Sequence, residues 1–319
     1  TRCTSSAASD VYKRQSQYRG NNVITMGPPS SGGLHIIQML NILENYDLKE
    51  INHNSKEYIN LLTEVMKYAY SDRSKYLGDP DFYDVPVEKI TSKNYGKRIF
   101  NDIEIGQSKP VGEVKPGMYL ETESHETTHF SVADADGNIV SSTYTLNSTF
   151  GSGVVIKGTG IVMNNEMDDF SAAPGIPNQF NLLGAEANEI APNKRPLSSM
   201  TPTIVMKNNE LFFTTGSPGG SRIISAVLQS ILNIIDFDMN LEETTKARRI
   251  HHQWFPDILE VEYSLDNKTR KELEDMNYSI VITDPLTCLQ LIMYKDKKFY
   301  GYGDFRRVDA YASGEINDR

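Results

Sequence analysis

The sequence predicts an α+β protein in which helices pack on antiparallel sheet, two or more layers deep. The order of the predicted elements carries this prediction: helical patterns come first, hairpin signals follow, and mixed elements end the chain. No repeat or low-complexity tract interrupts this order. The length of 319 residues is enough for a large core, as one big domain or two small ones.

The composition is ordinary for a globular protein and excludes several classes. Hydrophobic residues make up 39% of the chain and charged residues 23%. The net charge of −10, without a basic patch, argues against nucleic acid as a partner. No apolar run reaches the roughly 20 residues of a membrane span. The two cysteines, Cys3 and Cys288, exclude a disulfide framework and a cysteine-rich zinc site.

The first third of the chain is predicted to be helical. A helix follows the turn-rich loop Gly27–Gly33, a second runs from about Ser55 to about Ser74, and a shorter one lies near Ser92–Ile103. The stretch from Gly106 to Ser124 is rich in proline, glycine and glutamate and has no clear period. We therefore expect it to be an exposed, mobile linker. The first helix has four apolar residues on one face: Ile36, Met39, Leu40 and Leu43.

Strand signals take over after residue 127. Residues 128–133 alternate in polarity, Asp136-Gly137-Asn138 is a hairpin turn, and Ile139–Leu146 is rich in β-branched residues. A short strand is predicted over Ile161–Asn164. Thr203–Val205 and Leu211–Thr214 predict a second hairpin.

The last third mixes both kinds of element. The strongest helical pattern in the chain runs from Arg222 to Ile235, and a short helix is predicted over Leu241–Arg249. From Ile258 the pattern predicts a strand, a helix over Lys268–Met276 and two further strands.

The most conspicuous motif is His125-Glu126-Thr127-Thr128-His129, which matches the HExxH signature of zinc proteases. That signature needs both histidines on one face of a helix. Here the sequence predicts a strand, in which residues four apart are separated by about 13 Å. The motif therefore does not indicate a zinc site, and we predict no metal.

The same residues have a second interpretation, as a cleavage point. A free N-terminal Thr127 would carry its own base, because an α-amino group can accept the proton of the hydroxyl. A mobile segment before it and a rigid strand after it suit this role. The plain alternative is that these residues are the polar entry to a strand.

Three further loops carry candidate chemistry, each with a plain alternative. Gly216–Ser221 presents glycines at a helix start and suits an oxyanion hole, or is only a tight turn. Asn193–Met200 holds paired serines that could bind a carboxylate, or is an ordinary polar loop. Asn164–Phe170 clusters carboxylates that could bind an ammonium group, or is a solvated turn. His251-His252 is expected to be buried and hydrogen-bonded, not a metal pair.

These motifs occur together, and their set resembles the γ-glutamyltranspeptidase (glutathione hydrolase) family from about Tyr18 almost to the end of the chain. The blocks, in order, are Pro28–Gly33, Tyr68–Arg73, Thr127–His129, Tyr144–Asn147, Asn164–Phe170, Pro192–Met200 and Gly216–Arg222.

The resemblance implies an N-terminal-nucleophile hydrolase with a four-layer αββα sandwich, incomplete in this chain. It implies self-cleavage between Glu126 and Thr127, so that residues 16–126 are the C-terminal part of a large subunit and 127–319 a small catalytic subunit. The two subunits would form a heterodimer. Residues 1–15 are expected to be a non-native tail.

The resemblance also implies roles for single residues. Thr127 would be the nucleophile that attacks the γ-glutamyl amide, and Thr145 would orient Thr127. Gly219 and Gly220 would supply the backbone amides of the oxyanion hole. The α-amino group would be bound by Asn147, Glu166 and Asp169, and the α-carboxylate by Ser198 and Ser199. No residue in this chain matches the family arginine that clamps the carboxylate.

The expected activity is hydrolysis of glutathione or a related γ-glutamyl compound, or transfer of its acyl group to an amino acid or peptide. No cofactor is expected, and the family is usually periplasmic or extracellular. Two alternatives stay open: a β-lactam side-chain acylase on the same scaffold, and an unprocessed, inactive relative.

Overall fold

A computed structural model describes residues 13–116, 128–173, 176, 184–262 and 265–314. In this part of the chain the helices are α1 (Gly32–Leu43), α2 (Lys56–Tyr76), α3 (Val87–Ile90), α4 (Lys93–Phe100), α5 (Arg222–Ile235), α6 (Leu241–Lys246) and α7 (Asn267–Asp275). The strands are β1 (Lys13–Tyr18), β2 (Asn21–Met26), β3 (Thr128–Ala133), β4 (Ile139–Tyr144), β5 (Thr203–Lys207), β6 (Glu210–Gly216), β7 (Ile250–His251), β8 (Leu259–Glu262), β9 (Ile280–Thr283), β10 (Gln290–Lys295) and β11 (Lys298–Gly303).

The central element is a six-stranded antiparallel sheet with strand order β1-β2-β5-β6-β10-β11. Its middle strands come from both ends of the sequence, since β2 pairs with β5 and β6 with β10. β3 and β4 form a separate hairpin, and β7-β8-β9 form a small sheet. The predicted α+β class, with helices on antiparallel sheet, is therefore confirmed.

Two neighbouring residues of β6 show what covers each face of the large sheet. The Thr215 Oγ1 lies 2.8 Å from Oγ of Ser230 on α5. A Cβ built on Gly216 would lie 2.1 Å from Cε1 of His129 on β3. Because successive residues of a strand point to opposite faces, the helices lie on one face and the β3–β4 hairpin on the other.

The helix α1 lies at the centre of the core. Every residue from Gly32 to Leu43 is buried, as expected for a helix covered on all sides. It contacts β1 and β2 of the sheet as well as α2 and α5. The α5 helix is almost as fully buried, from Ile223 to Ile234. The apolar residues of both helices join those of α2 in one hydrophobic cluster.

Most predicted elements are confirmed, with small shifts at their ends. The helix predicted over Arg222–Ile235 has those bounds in the structure. The second helix runs two residues further, to Tyr76. The helix predicted over Leu241–Arg249 ends at Lys246, because Ala247 leaves the helical conformation and Ile250 begins β7.

The prediction of a strand over Ile161–Asn164 is wrong. An isolated bridge joins Val155 to Val162, and Met163 N donates to Val154 O at 2.8 Å. Val155 and Ile161 are more than half exposed. Within the described residues, this short local pairing is not extended by a sheet.

The linker predicted over Gly106–Ser124 is described for residues 106–116, which we call the strap, and its remainder lies outside the described residues. The strap is irregular and mostly exposed, as predicted, but hydrogen bonds hold it. Helix α2 binds the strap: Asn60 Oδ1 accepts from Gly106 N at 2.7 Å, and Lys67 Nζ donates to Lys109 O at 2.7 Å. Trp254 Nε1 donates to Val114 O at 2.9 Å. Polar side chains of α2 therefore bind a segment that the sequence predicts to be mobile.

The fold also begins before residue 16. Lys13 to Gln15, which the sequence assigned to a tail, are the first residues of β1 and pair with β2. The connecting turn has positive φ at Arg19 (47°) and Gly20 (77°), the conformation that joins two strands by a tight hairpin. Within the described residues, no helix has both the length and the apolar character needed to cross a membrane.

Candidate active site

The candidate nucleophile Thr127 lies outside the described residues, as do His125 and Glu126. The description resumes at Thr128, whose backbone pairs with Tyr144 at the start of β3. The predicted strand directly after residue 127 is therefore confirmed. Of the HExxH motif the structure describes only Thr128 and His129, and both lie in this strand. Among the described residues, no group of three or more histidines, cysteines or carboxylates could hold a metal.

His129, two residues after the candidate nucleophile, is a packing residue. Its ring lies against Gly216, and its Nδ1 and Nε2 lie 2.9 Å from Thr143 Oγ1 and 3.2 Å from Ser131 Oγ. Burial lowers the pKa of His129 to about 4. The imidazole is therefore neutral near pH 7 and fixes the hairpin to β6.

The residues predicted to bind an α-amino group lie on two joined turns. Thr145 Oγ1 accepts from Asn147 N at 2.8 Å, and the backbone of Asn147 has a positive φ of 71°. The buried Asn147 side chain donates to Asn165 O at 3.3 Å. Asn165 in turn leads directly into the 3₁₀ turn Glu166–Asp169.

Two of the three carboxyls of this turn, those of Glu166 and Asp169, share a hydrogen bond. Burial raises the pKa of Glu166, and a hydrogen bond with Asp169 opposes that rise. Within the described part of the chain, Glu166 Oε1 is buried and accepts no hydrogen bond. A buried acceptor beside a second carboxyl suits an ammonium donor.

Asn188 connects this acidic turn to the serine pair. Its Nδ2 donates to Asp169 O at 2.6 Å, and its Oδ1 accepts from Leu197 N at 3.0 Å. Asn188 is buried, and Leu197 directly precedes Ser198. One side chain thus sets the spacing between the two halves of the predicted substrate site.

The serine pair Ser198-Ser199 lies on the loop Pro28–Gly33. Ser198 N donates to Pro29 O at 2.9 Å, and Ser31 N donates to Ser198 O at 2.7 Å. A Cβ at Gly32 would lie 2.1 Å from Thr201 Oγ1, so only glycine permits this approach. The first glycine-rich motif of the sequence is therefore the support of the serine loop.

Arg73 of α2 completes this support. Its Nε donates to Ser31 Oγ at 2.6 Å, and its Nη2 donates to Ser199 Oγ at 2.8 Å. Three residues earlier on the same helix, the Tyr70 hydroxyl donates to Ser221 O. One face of α2 therefore contacts both the serine pair and the start of α5.

The candidate oxyanion turn lies directly before α5. Gly219 and Gly220 have positive φ values of 125° and 58°. A Cβ on Gly219 would lie 2.9 Å from Thr287 Cγ2, so both conformation and space require glycine there. The turn opens a helix of 14 residues, whose dipole favours negative charge at this end.

His251 and His252 are buried and hydrogen-bonded, as predicted. His251 Nδ1 lies 2.8 Å from Ser225 Oγ, and His252 Nε2 lies 3.1 Å from Asp257 Oδ1. Burial lowers the pKa of both imidazoles. They belong to the packing behind α5.

The structure thus brings together the described residues of the predicted substrate site, from Asn147 to Ser199. Sequence reasoning missed the residues that hold them in place. Four of the five lie inside recognised motif blocks but had no assigned role, so the only available signal was their presence there. The residues missed are Ser30, Ser31, Tyr70, Arg73 and Asn188.

The model of the gamma-glutamyltranspeptidase family matches residues 11–314. The chain is 51% identical over 298 residues to a glutathione hydrolase proenzyme from Escherichia coli. It is 42% identical over 308 residues to one from a Pseudomonas strain. These matches cover 93% of this chain but 51% and 53% of the relatives, so the chain spans about half of their length.

Solved structures give the same result for the fold. A Helicobacter pylori γ-glutamyltranspeptidase mutant is 50% identical with a TM-score of 0.55, over 56% of this chain and 100% of its own. A cephalosporin acylase from Bacillus halodurans is 25% identical with a TM-score of 0.80, over 96% of this chain and 53% of its own.

Proposed function

Because the chain belongs to the γ-glutamyltranspeptidase family, we propose that it is part of a γ-glutamyl hydrolase and transpeptidase that acts on glutathione and similar amides. The observation that supports this most directly is a set of three hydrogen bonds. Asn147 is joined to Asn165 at the start of the acidic turn, and Asn188 joins Asp169 of that turn to Leu197, which directly precedes the serine pair. An amino-acid head group carries one ammonium and one carboxylate, and this set joins an acidic pair to a hydroxyl pair.

Self-cleavage would create the catalytic group. Thr127 Oγ attacks the carbonyl carbon of Glu126, the peptide C–N bond breaks, and the acyl group moves to the hydroxyl as an ester. Water then hydrolyses that ester and leaves a carboxylate on Glu126 and a free amine on Thr127. Residues 16–126 and 127–319 become a large-subunit portion and a small subunit, which stay together as a heterodimer.

The same hydroxyl would then act on the substrate. The Thr127 amine accepts the hydroxyl proton as Oγ attacks the γ-glutamyl carbonyl, and Thr145 orients the attacking hydroxyl. The oxyanion that forms is stabilised by the backbone N–H groups of Gly219 and Gly220. The amine of the cleaved substrate amide leaves with a proton. Water or the amine of an amino acid or peptide then takes the acyl group. The cycle uses no metal or organic cofactor.

Substrate recognition would follow the geometry of the site. Glu166 and Asp169 bind the α-ammonium with Asn147, and Ser198 and Ser199 donate to the α-carboxylate. We place the described layers in a four-layer αββα sandwich. The expected location is periplasmic or extracellular.

Replacement of the nucleophile tests the function. The wild-type protein should yield a chain that starts at Thr127 by mass spectrometry and should release p-nitroaniline from γ-glutamyl-p-nitroanilide. Thr127→Ala should do neither, because it has no hydroxyl. Thr127→Ser is the matched control, and it should retain cleavage. A Thr127→Ala protein that is still cut and still active would refute the proposal.

An acylase on the same scaffold is the second candidate, because the chain is also 39% identical to an acylase proenzyme from a Pseudomonas strain. A glutaryl group has no α-ammonium, so it would leave the carboxyls of Glu166 and Asp169 without a cationic partner. We therefore expect a γ-glutamyl anilide to be hydrolysed faster than the matching glutaryl anilide. The reverse preference would favour the acylase.

A further inference from the structure

Arg73 reaches the predicted carboxylate site from behind. It lies in the last turn of α2 and is fully buried. Besides its bonds to Ser31 Oγ and Ser199 Oγ, its Nη2 lies 3.4 Å from Ser198 O. One guanidinium therefore donates to Ser31 and to both residues of the serine pair.

These bonds have a fixed direction, because a guanidinium can only donate. Ser199 Oγ must accept from Arg73, which leaves its own hydrogen to be donated elsewhere. Among the described residues, no acceptor for that hydrogen lies within reach. Ser31 Oγ accepts from Arg73 in the same way and donates to Ser198 O at 2.8 Å. The serine hydroxyl at position 199 is thus set as a donor, which a carboxylate ligand needs.

The charge of Arg73 has the matching sign. The neighbouring Asp72 carboxyl accepts from Gln38 at 2.6 Å and from Tyr95 at 2.7 Å, on a different side of the helix. His35, also fully buried near Arg73, stays neutral, because burial and the Arg73 charge lower its pKa to about 3. A cation in such surroundings attracts a substrate carboxylate more strongly than it would in water.

The same helix also sets the position of the reacting end of the site. Tyr70, one turn before Arg73, holds Ser221 O next to the Gly219-Gly220 turn. Since α2 is rigid, the Tyr70–Arg73 spacing fixes the distance between the oxyanion turn and the serine pair.

We propose that Arg73 is a positioning residue for recognition of the substrate α-carboxylate: it orients the Ser199 hydroxyl as a donor and adds positive charge behind it. Arg73 acts through Ser199 and does not itself touch the substrate. This inference rests on the proposed function, because it presupposes a substrate that bears an α-carboxylate.

A pair of substrates tests the proposal. γ-Glutamyl-p-nitroanilide carries the α-carboxylate, and 4-aminobutyryl-p-nitroanilide lacks it but has the same amide and amine. Arg73→Met should lower kcat/KM for the first by roughly 10- to 100-fold, mainly through KM, since a charged hydrogen bond contributes about 1.5–3 kcal/mol. The second substrate should change little, so the ratio of the two kcat/KM values should fall. Ser31→Ala should lower this ratio by a smaller factor than Arg73→Met does. It removes one acceptor that holds the guanidinium but leaves the guanidinium itself in place.

Two comparisons make the result decisive. Arg270→Met removes a surface arginine paired with Glu274 and should leave the ratio unchanged. If Arg73→Met is not recovered folded, the ratios of Arg73→Lys and Ser31→Ala decide the question. Equal losses on both substrates, or an unchanged ratio, would overturn the role of Arg73. A wild-type protein inactive on γ-glutamyl-p-nitroanilide would refute the proposed function and this inference with it.

Discussion

At the candidate site, close contacts with neighbouring atoms restrict which residue some positions can hold. Gly216 shows this best, since a Cβ there would lie within 2.4 Å of the His129 ring atoms Cε1, Nδ1 and Nε2. His129 has the described side chain nearest in sequence to the candidate nucleophile. The absence of a side chain at 216 therefore sets where the strand after Thr127 can lie.

Gly216→Ala should displace β3 from the sheet. Overpacking of a filled site costs about 1–3 kcal/mol of unfolding free energy, and β3, which follows the candidate nucleophile, should shift with His129. We expect a lower free energy of unfolding in urea and slower appearance of the chain that starts at Thr127. Gly112→Ala is the control, because nothing lies within 4 Å of its Cβ position. If Gly216→Ala is cleaved at the wild-type rate, self-processing does not depend on the packing of His129.

At the scale of elements, helix α2 organises the site on two sides. Its Tyr70 and Arg73 contact the substrate loops, while its Asn60 and Lys67 bind the strap (residues 106–116). Trp254, which follows the proposed cleavage point in the sequence, binds the strap: its Nε1 donates to Val111 O at 3.1 Å and to Val114 O at 2.9 Å. The chain that leads to the proposed cleavage point is thus held up to Val114.

Trp254→Phe should loosen the end of the strap. The substitution keeps an aromatic ring but removes the shorter of two side-chain hydrogen bonds to the carbonyl of the buried Val114, which leaves the 3.3 Å bond from Ser71 Oγ. We expect a loss of about 1–2 kcal/mol of unfolding free energy and slower cleavage in a time course followed by mass spectrometry. Tyr300→Phe, at an exposed site, serves as the control and should change neither quantity. Lower stability with an unchanged cleavage rate would limit the strap to a structural role.

For the whole molecule, burial of titratable groups links stability to pH. Burial lowers the pKa of His35 to about 3 and that of His129 and His251 to about 4. The stability that these neutral histidines provide is complete above about pH 6.5 and is lost as the pH falls through about 4. Asp72 acts with the opposite sign, because burial raises its pKa to about 7, and its contribution is lost as the pH rises towards 7.

The three histidines should outweigh the one carboxyl, so the free energy of unfolding should fall between pH 6.5 and 4. His251→Gln should make this slope shallower by up to about 3 kcal/mol over the interval, because each pKa unit corresponds to about 1.4 kcal/mol. Urea unfolding at several pH values measures the slope. An identical slope in the wild type and His251→Gln would show that burial of His251 does not contribute.

Local patterns were sufficient to predict much of this fold. The helices α1, α2 and α5 and the hairpins were predictable because their periodicity records which face is buried. Short, weakly periodic segments were less predictable. Ile161–Asn164 has the composition of a strand but pairs only locally, through a bridge to Val155. The strap lacks any period although hydrogen bonds hold it.

The sequence by itself determined the helices, the hairpins and the motif blocks, and through those blocks the family and the candidate site residues. Only the tertiary structure decided which blocks meet. Ser31, Arg73 and Ser199 are separated by up to 168 positions in the chain, yet their side chains form one network. The physical reason is that periodicity and turn chemistry specify the local backbone and its burial. Which side chains meet to form hydrogen bonds depends on packing between segments that are distant in the sequence.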